Sequence, residues 1–120
     1  FPMKRRYRLR LNHDFQRVRR NGKFYASSLV VLAFLQNNQE HSRVGFVVNR
    51  RLGNAVQRNK IKRRMKETMR IQLPTIKPGF DLVFISRKPI RRADYLTIQR
   101  TITKLLKKAD LLTERAKKQA

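Results

Sequence analysis

The sequence predicts an α+β protein in which about three helices pack on a small sheet. Stretches rich in β-branched and aromatic residues are typical of strands, and they lie at 24–35, 43–49 and 80–86. Stretches with apolar residues three and four positions apart are typical of helices, and they lie at 13–21, 54–73 and from Ala93 onward. Because a helix separates the second strand from the third, residues 43–86 form a βαβ unit.

One domain accounts for the whole sequence, residues 1–120. No Pro/Gly/Ser-rich linker, internal repeat or low-complexity segment divides it. Residues 1–11 are rich in Lys and Arg and predict a basic arm, and we expect a frayed tail at about 113–120.

The first helix and the first two strands follow from local signals. Asn12 is a favourable N-cap for the helix, and Asn21-Gly22 is a typical end. Residues 29–35 are continuously apolar, as in a strand that is covered on both faces. A polar turn separates this strand from the one at 43–49, so we expect the two to pair as a hairpin.

The second and third helices each have a defined buried side. Asn54 is the predicted N-cap of the second helix, and Pro74 and Pro78-Gly79 close it. Its buried face consists of Ile61, Met65 and Met69, which stack one turn apart. The apolar stripe of the last helix consists of Tyr95, Ile98, Ile102, Leu105, Leu106, Ala109 and Leu112.

The charge balance predicts a polyanionic partner. The chain has 31 Lys and Arg residues against seven Asp and Glu, for a formal net charge of +24. Self-repulsion on this scale destabilises a compact state unless a polyanion binds, and nucleic acid is the natural candidate. Neither an apolar span of membrane length nor a signal-like start is found, so no membrane partner is expected. Cysteine is absent, which excludes disulfides and thiolate metal sites and fits a cytoplasmic protein.

Residues 50–70 concentrate this charge on one predicted helix. The segment has nine Lys or Arg residues, and Glu67 is its one acidic residue. At about 100° per residue, a stripe away from the buried face consists of Asn59, Arg63, Lys66 and Arg70. Cations at that spacing can follow a phosphate backbone. The alternative is a merely solvated face, but such faces usually mix charges of both signs.

Arg58 and Lys62 lie on the same helical wheel beside the predicted buried residues. Burying two unpaired cations would be costly, so we expect their charges to face a ligand near the start of the helix. Gly53 allows a close turn there. The helix dipole and the free amides of residues 54–57 also favour an anion at this point.

One long segment resembles a known family. Residues 43–63 read Arg-Val-Gly-Phe-Val-Val-Asn-Arg-Arg-Leu-Gly-Asn-Ala-Val-Gln-Arg-Asn-Lys-Ile-Lys-Arg. This segment resembles the signature of the bacterial ribonuclease P protein family, in which a strand and a basic pair precede Gly-Asn-Ala-Val and a helix with Arg-Asn-Arg/Lys-x-Lys-Arg. The early Asp14-Phe15 helix, the strand from about Phe24 and the late segment 80–89 occur in the expected order, so the resemblance extends over most of the chain.

The family implies a fold and a division of labour. The implied fold is a small α+β domain of the ribosomal protein S5 domain 2-like type, with a left-handed βαβ crossover instead of the usual hand. A large RNA, bound 1:1 by the protein, removes the 5′ leader from precursor tRNA with Mg²⁺. The family therefore implies an endoribonuclease in which the RNA is the catalyst. Its protein subunit has no catalytic residue and binds both the catalytic RNA and the leader.

The resemblance, together with the cationic stripe, implies which residues make each contact. The implied RNA-binding residues are Arg50, Arg51, Asn54, Arg58, Asn59, Lys62, Arg63, Lys66 and Arg70. The implied leader-binding residues are Phe15, Arg19, Val47 and Asn49. Family members often have a second aromatic residue at the Arg19 position and small hydroxyl residues in the strand near Val47 and Asn49, so we expect the leader contacts to differ in detail.

The protein by itself does not have the pattern of a nuclease. A two-metal site needs several carboxylates around ions about 4 Å apart. The acidic residues are instead scattered over separate elements, at Asp14, Glu40, Glu67, Asp81, Asp94, Asp110 and Glu114. Asp81 fits a turn or hydrogen-bonding role, and direct metal ligation by the protein is left open. The main alternative function is a structural RNA-binding protein such as a ribosomal protein.

Aromatic residues are interleaved with cations in the first quarter of the chain, at Tyr7, Phe15, Phe24 and Tyr25. Stacking on bases is the functional interpretation of such a pattern. For Phe24 a core position in a strand is favoured instead. For Phe15 the family resemblance favours the leader cleft.

Overall fold

The computed structural model describes residues 4–114. Its helices are α1 Asn12–Asn21, α2 Ala55–Gln72 and α3 Tyr95–Lys108. Its strands are β1 Lys23–Ala26, β2 Val30–Gln36, β3 Arg43–Val47 and β4 Phe80–Ser86. The predicted α+β class is confirmed. The ends of the predicted arm and tail, residues 1–3 and 115–120, lie outside the described residues.

The four strands form one mixed sheet in the order β1-β2-β4-β3. β2 pairs antiparallel with β4, and β3 pairs in parallel with β4, so the βαβ unit is confirmed. The expected hairpin between strands 24–35 and 43–49 is wrong, because β4 lies between them. Leu82, Val83 and Phe84 are fully buried, and a strand that is apolar on both faces belongs at the centre of a sheet.

The predicted strand at 24–35 is two strands joined by a tight turn. Ser27 Oγ accepts hydrogen bonds from the backbone N–H groups of Leu29 (3.3 Å) and Val30 (3.0 Å), which breaks the run. β1 then turns back on β2, with Phe24 opposite Ala33. Ser27 thus uses its hydroxyl as a substitute for a backbone turn acceptor.

Helix ends follow the predictions in part. Asn54 caps α2 as expected, whereas Asn12 is the first residue of α1, and Leu11 occupies the N-cap position without a side-chain hydrogen bond. α3 starts after Asp94, whose side chain accepts from Thr97 N, and ends before Leu112.

The sheet has a core on each face. The larger core lies between the sheet, α2 and α3, and includes the predicted face Ile61, Met65 and Met69, of which both methionines are fully buried. The smaller core lies under α1, and consists of Leu9, Val18, Ala33 and Val83. The second face is therefore covered by a single ten-residue helix.

The N-terminal arm is partly built into the sheet. Arg8 forms a parallel bridge with Val44 of β3, and Leu9 N donates to Val44 O at 2.9 Å. The side chain of Leu9 is buried. The predicted arm 1–11 is thus anchored at residues 8 and 9, because Leu9 supplies an apolar contact and the outer edge of β3 supplies backbone partners.

Candidate nucleic-acid interface

α2 begins with a closed capping box. Asn54 Oδ1 accepts from Gln57 N at 2.9 Å, and Gln57 Oε1 accepts from Asn54 N at 3.0 Å. Gly53 precedes the box with φ 132°, a conformation that favours glycine. The prediction of free amides across 54–57 is wrong for two of them, because the box uses the N–H groups of Asn54 and Gln57. Side-chain cations therefore dominate this end of the helix.

One flank of α2 is a cationic groove. A concavity of about 410 Å³ is lined by Val56, Asn59, Lys62, Arg63 and Lys66. No acidic side chain is among these lining residues. Three cations and one amide thus share one surface, which suits a phosphate backbone. Lys62 is exposed and lines this groove with Asn59, Arg63 and Lys66, whereas the sequence grouped it with Arg58. Its exposure fits the expectation that this cation is not buried in the core.

Arg58 is held differently from Lys62. Its side chain is half-buried, and its Nε is buried without a hydrogen-bond partner within residues 4–114. Arg8 has the same property at its own Nε. A buried donor without a partner costs free energy. Both guanidinium groups are therefore packed against the protein more closely than a solvated surface arginine is.

The α2 groove and the N-terminal arm are electrostatically coupled. Burial lowers the pKa of Lys66, and the neighbouring charges of Lys62 and Arg8 lower it further. Arg8, to which no site was assigned from the sequence, therefore lies near enough for its charge to act on Lys66, although it lines a separate concavity with other residues of the arm. The dense Lys-Arg-Arg-Tyr-Arg run predicted a basic arm but not its location. The bridge between Arg8 and Val44 holds the arm at the edge of β3, and this brings the charge of Arg8 near Lys66 of α2.

Arg70 lies apart from the groove. It donates to Glu67 from Nε at 3.1 Å and from Nη2 at 2.6 Å. This contact lowers the pKa of the Glu67 carboxyl, because the guanidinium stabilises the charged form. The predicted stripe is therefore shorter than expected, since its last cation is balanced by an acid one turn away.

The turn before α2 presents further exposed polar groups. Asn49, Arg50 and Arg51 are exposed, whereas Leu52 is buried and anchors the turn. The predicted site residues of this turn thus lie on the surface next to the start of α2.

The second face of the sheet has an open apolar floor beside α1. Ala26, Val31, Ile85 and Val47 occupy paired positions across all four strands. None of them is fully buried. With strands about 4.8 Å apart, this row is about 14 Å long.

Phe15 forms one wall of this cleft. Its ring occupies the space that a Cβ at position 45 would need, so Gly45 allows α1 to place the ring directly on β3. Phe15 is half-buried, and Arg19 is exposed one turn further along α1. The structure thus brings together Phe15 and Val47, with Arg19 on the same helix.

Phe24 is not a core residue, which contradicts the favoured sequence interpretation. Its side chain is 48% exposed. Tyr25 is the β1 aromatic that packs on the larger core. The error follows from the missed turn at Ser27, because the face on which Phe24 lies depends on how β1 pairs with β2.

A buried carboxylate closes the other end of this face. Asp81 is fully buried and accepts from Arg43 Nε (2.9 Å), Arg43 Nη2 (2.7 Å), Arg17 Nη2 (2.5 Å) and Asn37 Nδ2 (2.9 Å). Arg17 comes from α1, Asn37 from the end of β2, and Arg43 from β3. The predicted hydrogen-bonding role of Asp81 is therefore confirmed, and its function is to hold three elements together.

Two other kinds of site are not found in the described part of the chain. Within residues 4–114, no three His, Cys, Asp or Glu side chains come together as a metal site. None of the helices described there is long and apolar enough to cross a bilayer.

The fold and the two surfaces define a class of protein. A strongly basic α+β domain with a cationic groove on one helix and an aromatic-walled cleft on its sheet is a nucleic-acid-binding protein. The model of the family described as Ribonuclease P matches residues 3–110. The chain belongs to the ribonuclease P protein family, and it is the protein subunit of this tRNA 5′-maturation endoribonuclease, which works with an RNA partner.

Relatives and solved structures agree with this assignment. The chain is 41% identical over 111 residues to the ribonuclease P protein component of Roseiflexus castenholzii, covering 92% of this chain and 91% of that protein. It is 41% identical to the one from Clostridium novyi, covering 91% and 98%. The RNase P protein structure from Staphylococcus aureus matches with a TM-score of 0.83 at 35% identity, covering 89% and 98%. The one from Thermotoga maritima matches with a TM-score of 0.78 at 38% identity, covering 84% and 96%.

Proposed function

We propose that α2 docks the protein on the catalytic RNA. The observation that carries this proposal is the groove at Asn59, Lys62, Arg63 and Lys66, whose lining has no acidic side chain. The depressed pKa of Lys66 supports it, because phosphates entering the groove would relieve the repulsion among Lys66, Lys62 and Arg8. Arg50, Arg51, Asn54 and Arg58 extend this surface around the start of the helix. Arg70, paired with Glu67, is included as a contact beyond the groove.

The leader of precursor tRNA occupies the cleft on the other face of the sheet. Phe15 supplies a stacking surface, Val47 supplies part of the apolar floor, and the exposed Arg19 and Asn49 supply polar contacts at its rim. Stacking and backbone charge hold single strands without strong sequence preference. Such tolerance suits a subunit that meets many different leaders.

The chemistry belongs to the RNA in this proposal. The fully buried carboxylate of Asp81 is occupied by two arginines and an asparagine, Glu67 pairs with Arg70, and Asp94 caps α3. These three side chains already have partners within the protein. We therefore assign Mg²⁺ to the RNA in this proposal, where it would activate the attacking water. One protein for each RNA and a cytoplasmic location complete the proposal.

Reconstitution tests the docking role and the leader role together. The protein is mixed with a bacterial ribonuclease P RNA and a leader-bearing precursor tRNA at low Mg²⁺, and the RNA without the protein is the reference. We expect higher turnover and tighter substrate binding. Unchanged turnover and affinity would overturn the proposal.

Two variants separate the surfaces. Arg63→Gln is expected to weaken binding of the protein to the catalytic RNA, since it removes a cation from the groove. Phe15→Ala is expected to leave that binding intact. It is expected to weaken binding of leader-bearing substrate relative to binding of leaderless tRNA. If both variants lower the same affinity by the same factor, the assignment of two separate surfaces is wrong.

A further inference from the structure

Phe24 is an exposed aromatic side chain that the sites above do not use. Among the large apolar residues that the structure leaves exposed within residues 4–114, it is the aromatic one. An exposed ring of this size on a regular strand gains little stability from packing. It is therefore available to a ligand.

The pairing of β1 with β2 fixes the face on which Phe24 lies. Tyr25 stacks on Phe34 of the larger core, with ring centroids 6.0 Å apart and planes 8° from parallel. Since successive residues of a strand alternate between faces, Phe24 lies on the opposite face, which is the face of the cleft. Its partner across the ladder is Ala33, which belongs to the smaller core under α1.

Phe24 and Phe15 mark the two ends of one row across the sheet. The row runs through paired positions from Phe24 to Ala33, then Val83, then Gly45. The ring of Phe15 covers Gly45. Phe24 and the Gly45 backbone beneath the Phe15 ring are therefore about 14 Å apart, from three strand spacings. α1 covers the middle of this row, where Ala33 and Val83 are fully buried. The apolar floor from Ala26 to Val47 is the next row along the strands.

An exposed cation lies near the strand that carries Phe24. Arg87 is exposed and donates from Nη1 to Ser27 O at 2.9 Å, which places its guanidinium at the turn after β1. An exposed aromatic ring next to a cation is an arrangement that suits single-stranded nucleic acid.

We propose that Phe24 stacks on a nucleotide of the 5′ leader, so that the leader crosses the sheet from β3 to β1. This inference rests on the proposed leader cleft and adds its second aromatic contact and its direction. In this chain, Arg19 occupies the α1 position where family members often have a second aromatic residue. Phe24 would supply a second ring from β1 instead. The charge complementarity of Arg87 with phosphates favours this occupant over an apolar protein partner.

A leader carrying 2-aminopurine at successive positions tests the stack in the complete complex of protein, catalytic RNA and precursor tRNA. We expect one position to be quenched with the wild-type protein and to brighten with Phe24→Leu, which keeps apolar bulk but removes the ring. Phe24→Leu is also expected to lower the affinity for substrate with a long leader about five- to ten-fold. This change is at the lower end of the ~1–3 kcal/mol that stacking contributes per base. Phe24→Tyr keeps the ring and is expected to retain both the quenching and the affinity.

The controls distinguish this inference from the cleft proposal. Leaderless tRNA and the catalytic RNA are expected to bind the wild type and Phe24→Leu equally, and thermal unfolding checks that the variant is folded. If Phe15→Ala weakens leader-dependent binding and Phe24→Leu does not, the path to β1 is wrong and the cleft stands. If neither does, the cleft proposal itself fails. A loss that is equal with and without a leader would also overturn the stacking role of Phe24.

Discussion

Arg43 and Asp81 are paired in the parallel ladder of β3 and β4, and their side chains form a bidentate ion pair. The pair lies on the face covered by α1. Arg17 and Asn37 complete the set of donors around the carboxylate. Asp14 of α1, which is also buried, lies 3.6 Å from Arg43. The position of α1, and with it the wall of the cleft, therefore depends on this ion-pair cluster, in which Asp81 has the most partners.

Asp81→Ala is expected to destabilise the protein by about 2–4 kcal/mol, because it removes the acceptor of Arg17 and leaves Arg43 with only the more distant Asp14. The measurement is the free energy of unfolding from urea denaturation. Glu67→Ala is the control, since it removes an acid from an exposed pair with Arg70. It is expected to change the free energy of unfolding far less. Similar losses would show that the Asp81 cluster does not hold the fold.

Arg58→Gln and Arg63→Gln together are expected to weaken binding to the catalytic RNA and to flatten its salt dependence. Engaging roughly six phosphates implies a log–log slope of about −4 to −5 for the wild type, and losing two contacts reduces it by about 1.4–1.8. The matched control is Lys104→Gln with Lys107→Gln, which neutralises two exposed cations on α3. Equal losses in the two double variants would mean that only total charge matters.

Lys66→Met is expected to weaken RNA binding and yet to stabilise the free protein. The folded state depresses the pKa of Lys66 below its ordinary value of 10.5, first by burial and then by Lys62 and Arg8. The unfolded chain therefore binds more protons, and the free energy of unfolding rises as pH climbs through the folded-state pKa. Lys66→Met should remove this rise in denaturation experiments at neutral and alkaline pH. Lys60→Met, on the same helix but exposed, should retain it.

Gly45→Ala is expected to weaken leader binding without weakening docking on the catalytic RNA. The added methyl group would overlap the ring of Phe15 and press on Leu9, so the ring must move off β3. We expect a loss of about five-fold or more in affinity for leader-bearing substrate, the scale of one stacked base. A double-variant cycle with Phe15→Ala checks the route. If Gly45→Ala still lowers affinity in the Phe15→Ala background, the effect does not pass through that ring.

Local signals in the sequence predicted the helices well and the strand order poorly. Asn54, with its reciprocal Gln57 bond, and the stacked Ile61, Met65 and Met69 are features within one helix, and both predictions are confirmed. The order of the strands depends on contacts between distant segments. A polar turn between two strands favoured a hairpin, but burial of β4 on both faces placed it between them.

The site residues show the same division between local and distant contacts. The helical wheel correctly grouped Asn59, Arg63 and Lys66 along one flank of α2. It could not show that Arg8 approaches Lys66, because that proximity requires the arm to pair with β3. The strand pattern likewise could not place Phe24, because the turn at Ser27 determines the face of the sheet on which it lies.

The central position of β4 has a consequence for synthesis of the protein on the ribosome. The donors Arg17, Asn37 and Arg43 all emerge before Asp81, and β2 and β3 have no direct pairing with each other. A nascent chain that ends before residue 80 therefore has an outer hairpin and a basic helix but lacks the strand that joins them. The sheet is complete only when β4 inserts between β2 and β3. The fold therefore forms cooperatively once most of the chain has been made.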